Sequence, residues 1–297
     1  MKRIVVFHHN DNDGKAAAAV VYHSLEEPGI EWEFISVNYN DSVPSADRIK
    51  EEDDVYIVDY SFTNATLINL IEIAEKANTV TWFDHHKTSL EVIDKVKEMG
   101  ICKDCIVTTE MCGAMITYNF FIERIGYRIL YLRSMEDIIR LVDDYDRWIH
   151  ADPNSLLFNI GSSMYDTDPT SDFWVNPLLL PVVIEKGKTI KEYDDKNNTK
   201  LTKNNGFLVR INGHDCIVLN TPDSSSKVFG EYFDKYKFGI RFSFNGTNYE
   251  YSIYSELEDI DCAKIAQKFN PKGGGHKGAA GFVSDKIHFS DQCVFVI

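Results

Sequence analysis

Trp82-Phe83-Asp84-His85-His86-Lys87-Thr88 is the stretch from which the rest of the chain is read. The apolar run Thr79 to Phe83 has the length and composition of a buried strand. It delivers an Asp and two adjacent histidines to the strand's carboxyl end, where open α/β sheets bind ligands. Thr88 is placed to cap a following helix, expected over Thr88 to Met99. Carboxylate with imidazole is a donor set for Mn²⁺, Zn²⁺ or Fe²⁺. An Asp-His-His triplet also occurs on ordinary surfaces, so its meaning depends on what other segments bring to it.

At least three others bring acids. Lys2 to Phe7 reads as a first strand and runs into His8-His9-Asn10-Asp11-Asn12-Asp13-Gly14. An alanine-rich helix follows from Lys15 to Tyr22. His9, Asp11 and Asp13 alternate, so an extended segment would project them to one side, with Gly14 permitting a tight turn. Asn and Asp also build turns and caps, but close carboxylates repel unless a proton or cation intervenes. Glu33 to Val37 reads as a second strand, and Asp53 to Tyr60 as a third ending in Asp59. Asn64 to Ala77 has helical periodicity at Leu67, Ile68, Leu70, Ile71 and Ala74. Strand and helix alternate, which predicts an α/β fold with a doubly wound parallel sheet. Ile106 to Thr108 adds a strand and Gly113 to Ile125 an apolar helix. Ser134-Met135-Glu136-Asp137 reads as a capping box opening a helix that ends in Asp143-Asp144-Tyr145-Asp146-Arg147-Trp148. Three acids at a helix C-terminus oppose its dipole unless something positive is near.

Length and composition set the bounds. The 297 residues suit one large or two ordinary domains, and 44% hydrophobic residues can bury a sizeable core. No run of 18 apolar residues exists, and the apolar start is too short for a leader, so no membrane association is expected. Six cysteines (102, 105, 112, 216, 262 and 293) lack the density of a disulfide scaffold and point to a cytoplasmic location. Cys102 and Cys105 have zinc-knuckle spacing but no second pair follows. A net charge of −15 argues against a surface for long duplex nucleic acid, but not against a small anionic substrate. Glu185-Lys186-Gly187-Lys188-Thr189 imitates the end of a P-loop, yet position 182 is Val where a glycine is required. A connector helix is expected after Pro181, and Asp194 to Asn205 is polar enough for a linker. Asn212-Gly213 and Asn245-Gly246 mark two hairpins, Cys262 to Phe269 a short helix, and Gly273-Gly274-Gly275-His276 a turn whose N–H groups can approach an anion. The expected division is residues 1–175, a connector over 176–205, and a smaller α+β domain over 206–297.

Taken together, His9-Asn10-Asp11-Asn12-Asp13-Gly14, Asp59 after its strand, Asp84-His85-His86-Lys87-Thr88 and Tyr145-Asp146-Arg147-Trp148 resemble the four ordered motifs of the DHH phosphoesterases. Lys272 to Gly281 resembles the glycine-rich signature of the associated DHHA1 domain. The five motifs fall in family order and span nearly the whole chain, with most likeness to the nanoRNase (short oligoribonuclease) branch of the RecJ-like superfamily. The resemblance implies a cleft between two domains and a site for two Mn²⁺ ions, with Mg²⁺ admissible. His9 and Asp11 would hold one ion, Asp13, His85 and Asp146 the other, and Asp59 would bridge. His86 would face the scissile phosphate and Asp84 would orient a histidine. Gly273, Gly274, Gly275, His276 and Lys277 would bind substrate. One departure is that several relatives place the first histidine four residues before the first Asp, not two. His8 therefore competes with His9, as Asp143 and Asp144 compete with Asp146. The implied activity is hydrolysis of short oligoribonucleotides or linear dinucleotides to nucleoside 5′-monophosphates, by a chain that could form a homodimer. The alternatives are a phosphatase for 3′-phosphoadenosine 5′-phosphate, a cyclic-dinucleotide phosphodiesterase, or a nucleotide-binding sensor without turnover.

Overall fold

The computed structural model describes residues 2–39, 43–125, 130–223, 225–289 and 295–296. The chain forms two compact units, Met1–Thr189 and Ile190–Ile297. In the first, β1 (Arg3–His9), α1 (Asn12–Leu25), β2 (Glu31–Val37), β3 (Asp53–Val58), α2 (Leu67–Lys76), β4 (Thr79–Asp84), α3 (Ile93–Met99) and β5 (Asp104–Val107) alternate. Then come α4 (Gly113–Ile125), α5 (Leu130–Asp146) and α6 (Pro153–Ser162). The five strands are all parallel, in the order β2-β1-β3-β4-β5.

β1 shows why the sheet is covered on both faces. Its residues Ile4 and Val6 pack with α1, α4 and α5, while Val5 and Phe7 pack with α2 and α3. All four are fully or almost fully buried, as the period of two requires for a strand between two helical layers. The chain leaves β1 toward β2 on one side and β3 on the other, so the order reverses at β1, which is where such sheets bind ligands. The expected doubly wound parallel sheet is the one observed.

Three local readings differ. Thr88 is no helix cap. Lys87–Glu91 is a 3₁₀ turn, α3 begins at Ile93, and the Thr88 hydroxyl lies 2.5 Å from that of Ser61. Ser134 opens no helix, because α5 already runs from Leu130 and the Ser134 hydroxyl donates to the Tyr131 carbonyl. Asp194 to Asn205 is helical, since α7 (Leu179–Asn205) is continuous through it. Five cysteines are free. Cys293 lies outside the described residues.

The second unit holds a mixed sheet with order β10-β11-β9-β8-β7-β6-β12. Its strands are β6 (Phe207–Ile211), β7 (His214–Asn220), β8 (Phe238–Phe244), β9 (Tyr249–Ser255), β10 (Gly274–Gly275), β11 (Ala279–Ser284) and β12 (Phe295–Val296), with helices α8 (Glu231–Tyr236) and α9 (Cys262–Phe269). Both expected hairpins form. Asn212 and Gly213 have φ of 52° and 88°, as a tight two-residue hairpin turn requires. Among the described residues no helix is long and apolar enough to cross a membrane.

Candidate metal centre

The carboxyl ends of β1, β3 and β4 lie side by side in the sheet, and each is followed at once by polar residues. Beyond β1, Asp11 is the N-cap of α1, its Oδ1 accepting from the Gly14 N–H at 2.9 Å. His9, Asp11 and Asp13 are therefore not one extended row, because Asp13 already sits in the first helical turn. Gly14 serves close packing and not a turn: a Cβ there would lie 2.3 Å from the His9 carbonyl oxygen. His9 Nδ1 is 2.6 Å from Asp11 Oδ2 and 3.8 Å from Asp59 Oδ2. Asp13 points the other way and accepts the Gly113 and Ala114 N–H groups at the start of α4, at 2.8 and 2.7 Å. A helix N-terminus favours an anion there.

Asp59, just past β3, takes φ of 54°, a left-handed conformation costing an L side chain about 1 kcal/mol or more. Its N–H donates to the Phe83 carbonyl at 2.9 Å, which ties the turn to β4. Past β4, His85 Nε2 lies 3.2 Å from Asp59 Oδ1, 3.3 Å from Asp146 Oδ2 and 3.6 Å from Asp13 Oδ2. His86 Nδ1 donates to Asp84 Oδ1 at 2.8 Å, and the fully buried Asp84 also accepts from the Ser89 hydroxyl. That fixes the His86 ring and leaves Nε2 outward.

Three donor groups result, each with ligand atoms within 4.8 Å of one another: His9, Asp11 and Asp59; Asp13, His85 and Asp146; Asp59, His85 and His86. Asp59 and His85 each belong to two. Their electrostatics demand a counter-charge. Burial, then the charges of Asp13, Asp11, Asp84 and Asp146, push the Asp59 carboxyl well above the usual carboxylate range. Burial also raises Asp13, and burial with the neighbouring acids pushes Asp146 up to about 7. Burial lowers His85. His86 is also opposed by burial, but the hydrogen bond and charge of Asp84 raise it on balance. Among the described residues, Asp59 Oδ1 and Asp146 Oδ2 are buried and accept no hydrogen bond, with the His85 imidazole as their polar neighbour. Partnerless buried carboxylate oxygens are unfavourable in a metal-free protein and suit metal ligands. Carboxylate oxygen with imidazole is a donor set that fits a divalent cation.

The competing neighbours are placed elsewhere. His8 is buried, with Nδ1 at 2.8 Å from the His9 carbonyl, and belongs to none of the three groups. Asp143 accepts the Cys112 N–H at 2.7 Å, and Asp144 accepts from the Ala151 and Asp152 N–H groups.

Tyr39 carried no signal in the sequence. Its hydroxyl accepts the Ser61 N–H at 3.1 Å and lies 3.4 Å from His86 Nε2, and its ring stacks on Tyr60 with centroids 5.0 Å apart. No periodicity or motif marks Tyr39; only the chain's return past β2 brings it to His86.

The glycine-rich segment belongs to the second unit. Gly274 and Gly275 form β10, and the N–H groups of Gly273 and His276 donate to the carbonyls of Asn270 and Ala279. Those two donors are therefore engaged within the segment. The His276 and Lys277 side chains are exposed. Arg241, Ser252, Gly281 and Gly274 are successive cross-strand partners from β8 to β10. Arg241 is only 7% exposed, and among the described residues its guanidinium donates to the hydroxyls of Ser252 and Ser243. Nothing in the sequence distinguished this arginine.

Comparison with known proteins agrees with this architecture. Residues 3–142 match the DHH family, N-terminal domain. Uncharacterized protein R106 of Acanthamoeba polyphaga mimivirus is 24% identical over 96% of this chain and 68% of its own length. Among solved structures, the pGpG-specific phosphodiesterase PggH of Vibrio cholerae superposes with a TM-score of 0.52 at 14% identity, over 96% of this chain and 94% of that one. The exonuclease RecJ bound to manganese superposes with a TM-score of 0.50 at 16% identity, over 96% of this chain and 86% of that one. At such identities the likeness is one of fold. The family match, on the segment that carries the His9, Asp11, Asp13, Asp59 and His85 cluster, makes residues 3–142 a DHH-family N-terminal domain.

Proposed function

We propose that the chain is a two-metal, Mn²⁺-dependent phosphodiesterase that hydrolyses short oligoribonucleotides or linear dinucleotides to nucleoside 5′-monophosphates. The observation that supports it most is the pair of buried carboxylate oxygens that accept no hydrogen bond among the described residues, Asp59 Oδ1 and Asp146 Oδ2, in donor groups that overlap at Asp59 and His85. His9 and Asp11 would hold one ion and Asp13, His85 and Asp146 the other, with Asp59 serving both. Two divalent cations at such a site supply Lewis acidity and make water a competent nucleophile near neutral pH. The chain's own groups do the rest. Asp84 holds the His86 ring by Nδ1, so His86 Nε2 can donate to a phosphoryl oxygen or return a proton to the departing oxygen. Tyr39 restrains His86 from the other side. In the second unit, Gly273, Gly274, Gly275, His276 and Lys277 would bind substrate, the His276 and Lys277 side chains being exposed.

That the family neighbours include a pGpG-specific phosphodiesterase and an exonuclease bound to manganese supports a nucleotide phosphodiester as substrate. The net charge of −15 favours a short one. The deciding assay is purified protein with Mn²⁺, Mg²⁺ or EDTA against 5′-labelled RNA of two to twenty-four nucleotides, pGpG and pApA, with products resolved by length. Mononucleotide release from the shortest substrates, abolished by EDTA, is expected. Preference for the longest RNA, or turnover that persists in EDTA, would refute the reading. His276→Ala should raise KM for pApA more than it lowers kcat, because a grip on a non-reacting phosphate is shared by ground and transition states.

A further inference from the structure

We propose that Trp148 is the stacking surface for a nucleobase of the substrate, and that the turn carrying it is built to present it. The proposal rests on the phosphodiesterase reading above and specifies where the base goes. Trp148 is 80% exposed, whereas Trp82 and Trp174 are fully buried. It follows Asp146 by two residues and sits in the left-handed backbone region with φ of 56°, as does His150 with φ of 50°. Bulky side chains avoid this region unless their surroundings impose it.

The surroundings do impose it. The Trp148 N–H donates to the Tyr145 carbonyl at 3.0 Å, and the Ile149 and His150 N–H groups donate to the Asp144 carbonyl at 3.0 and 3.2 Å. The Asp144 carboxylate takes the next two N–H groups, of Ala151 at 2.9 Å and Asp152 at 3.3 Å. Asp144, whose carboxylate belongs to none of the donor groups, thus holds the four residues that follow Trp148, and with the Tyr145 carbonyl it fixes the backbone of a turn that leaves the indole in solvent.

Ring contacts connect this indole to the donor cluster. Trp148 meets His150 edge-on at 5.2 Å, and His150 meets Tyr145 edge-on at 5.5 Å. Tyr145 lines a pocket of about 100 Å³ together with Asp11, Asp13 and Asp146. A nucleotide whose phosphate is held by metal ions on those acids must place its base beyond them, and Trp148 is an exposed π-face two residues after Asp146. The surface is apolar and uncharged, which suits a neutral planar base. A turn whose backbone is already fixed presents the ring without ordering that backbone at the moment of binding.

The test has two arms on the full chain with Mn²⁺ present. In the first, tryptophan emission is followed on titration with AMP, which has no phosphodiester to hydrolyse. AMP should quench the wild type and leave Trp148→Phe unquenched, and ribose 5-phosphate should quench neither. In the second, Trp148→Ala should raise KM for pApA roughly tenfold, as expected for loss of a stacking partner. Its effect on an abasic analogue of that dinucleotide should be several-fold smaller. Equal quenching by AMP in Trp148→Phe, or an unaltered KM for pApA in Trp148→Ala, overturns the proposal. If the wild type hydrolyses no phosphodiester, the activity proposed above fails, and the AMP titration still decides whether Trp148 stacks a base. If pApA is hydrolysed and neither arm responds, the activity stands and the stacking surface is wrong.

Discussion

Asp59 shows most plainly how this chain assembles chemistry from strained parts. It is buried, it has positive φ, and one of its oxygens accepts no hydrogen bond among the described residues, three features that are each unfavourable for an aspartate. The two cations proposed to share this carboxylate would remove the last of them. Asp59→Ala should therefore abolish turnover and leave at most one Mn²⁺ bound; calorimetry showing two undisturbed Mn²⁺ sites would disprove the shared role. The acids at the end of α5 separate just as clearly. Asp146 faces His85, Asp143 holds the Cys112 N–H, and Asp144 holds the following turn. Asp146→Ala should lower kcat by on the order of a thousandfold or more, as for loss of a group acting on transition-state charge. Asp143→Ala should cost stability more than chemistry. By the same logic His9→Ala should lose far more activity than His8→Ala, since His8 is turned toward the His9 carbonyl. The reverse order in either pair, measured on pApA with Mn²⁺, would show that these acids or histidines act in a different register.

At the level of elements, the donor cluster exists because strand ends and helix starts converge. β1, β3 and β4 deliver His9, Asp59 and His85 from one edge of the sheet, and the N-terminus of α4 fixes Asp13 through two N–H groups. The segment that imitates a P-loop has a packing role instead. Gly187 of α7 lies so close to α6 that a Cβ there would be 1.8 Å from the Leu157 carbonyl oxygen. Gly187→Ala forces the two helices apart and should destabilise the first unit by about 1–3 kcal/mol. Chemical denaturation followed by far-ultraviolet dichroism measures this, and a variant as stable as the wild type would contradict the close crossing.

For the molecule as a whole, the donor cluster couples stability to both metal and pH. Asp59, Asp13 and Asp146 all have carboxyls raised above their ordinary value of 3.8, Asp146 to about 7. In the metal-free protein the folded state then binds protons more tightly than the unfolded chain. That contribution is fully present below the unfolded value and is lost as pH rises through the folded one. Cations held by the proposed site would replace those protons. Removing metal with EDTA should therefore lower Tm more at pH 8 than at pH 5, by a few degrees for a unit of this size. Thermal melts at the two pH values decide it, and an equal EDTA effect at both would mean that the acids do not hold the metal.

The alternation of apolar strands with helical periods, and the placing of Asp or His at the ends of the strands now labelled β1, β3 and β4, were already determined by the sequence. Period and punctuation are local properties, and a parallel sheet turns strand ends into neighbours whatever the loops do. Trp82 to Thr88 therefore carried both the fold and part of the donor set. What the tertiary structure alone decided is which of several equivalent residues turns inward. His8 and His9 are one residue apart on a strand and face opposite sides, and Asp143, Asp144 and Asp146 differ by less than one helical turn. Their roles depend on partners distant in the chain, Cys112 for Asp143 and His85 for Asp146. Thr88 and Ser134 had the residue type of a cap, but their hydroxyls found other partners in Ser61 and Tyr131. Tyr39 and Arg241 were silent for the same reason. A single side chain with no periodic companion acquires meaning only when the fold sets it beside His86 or in line with Gly274.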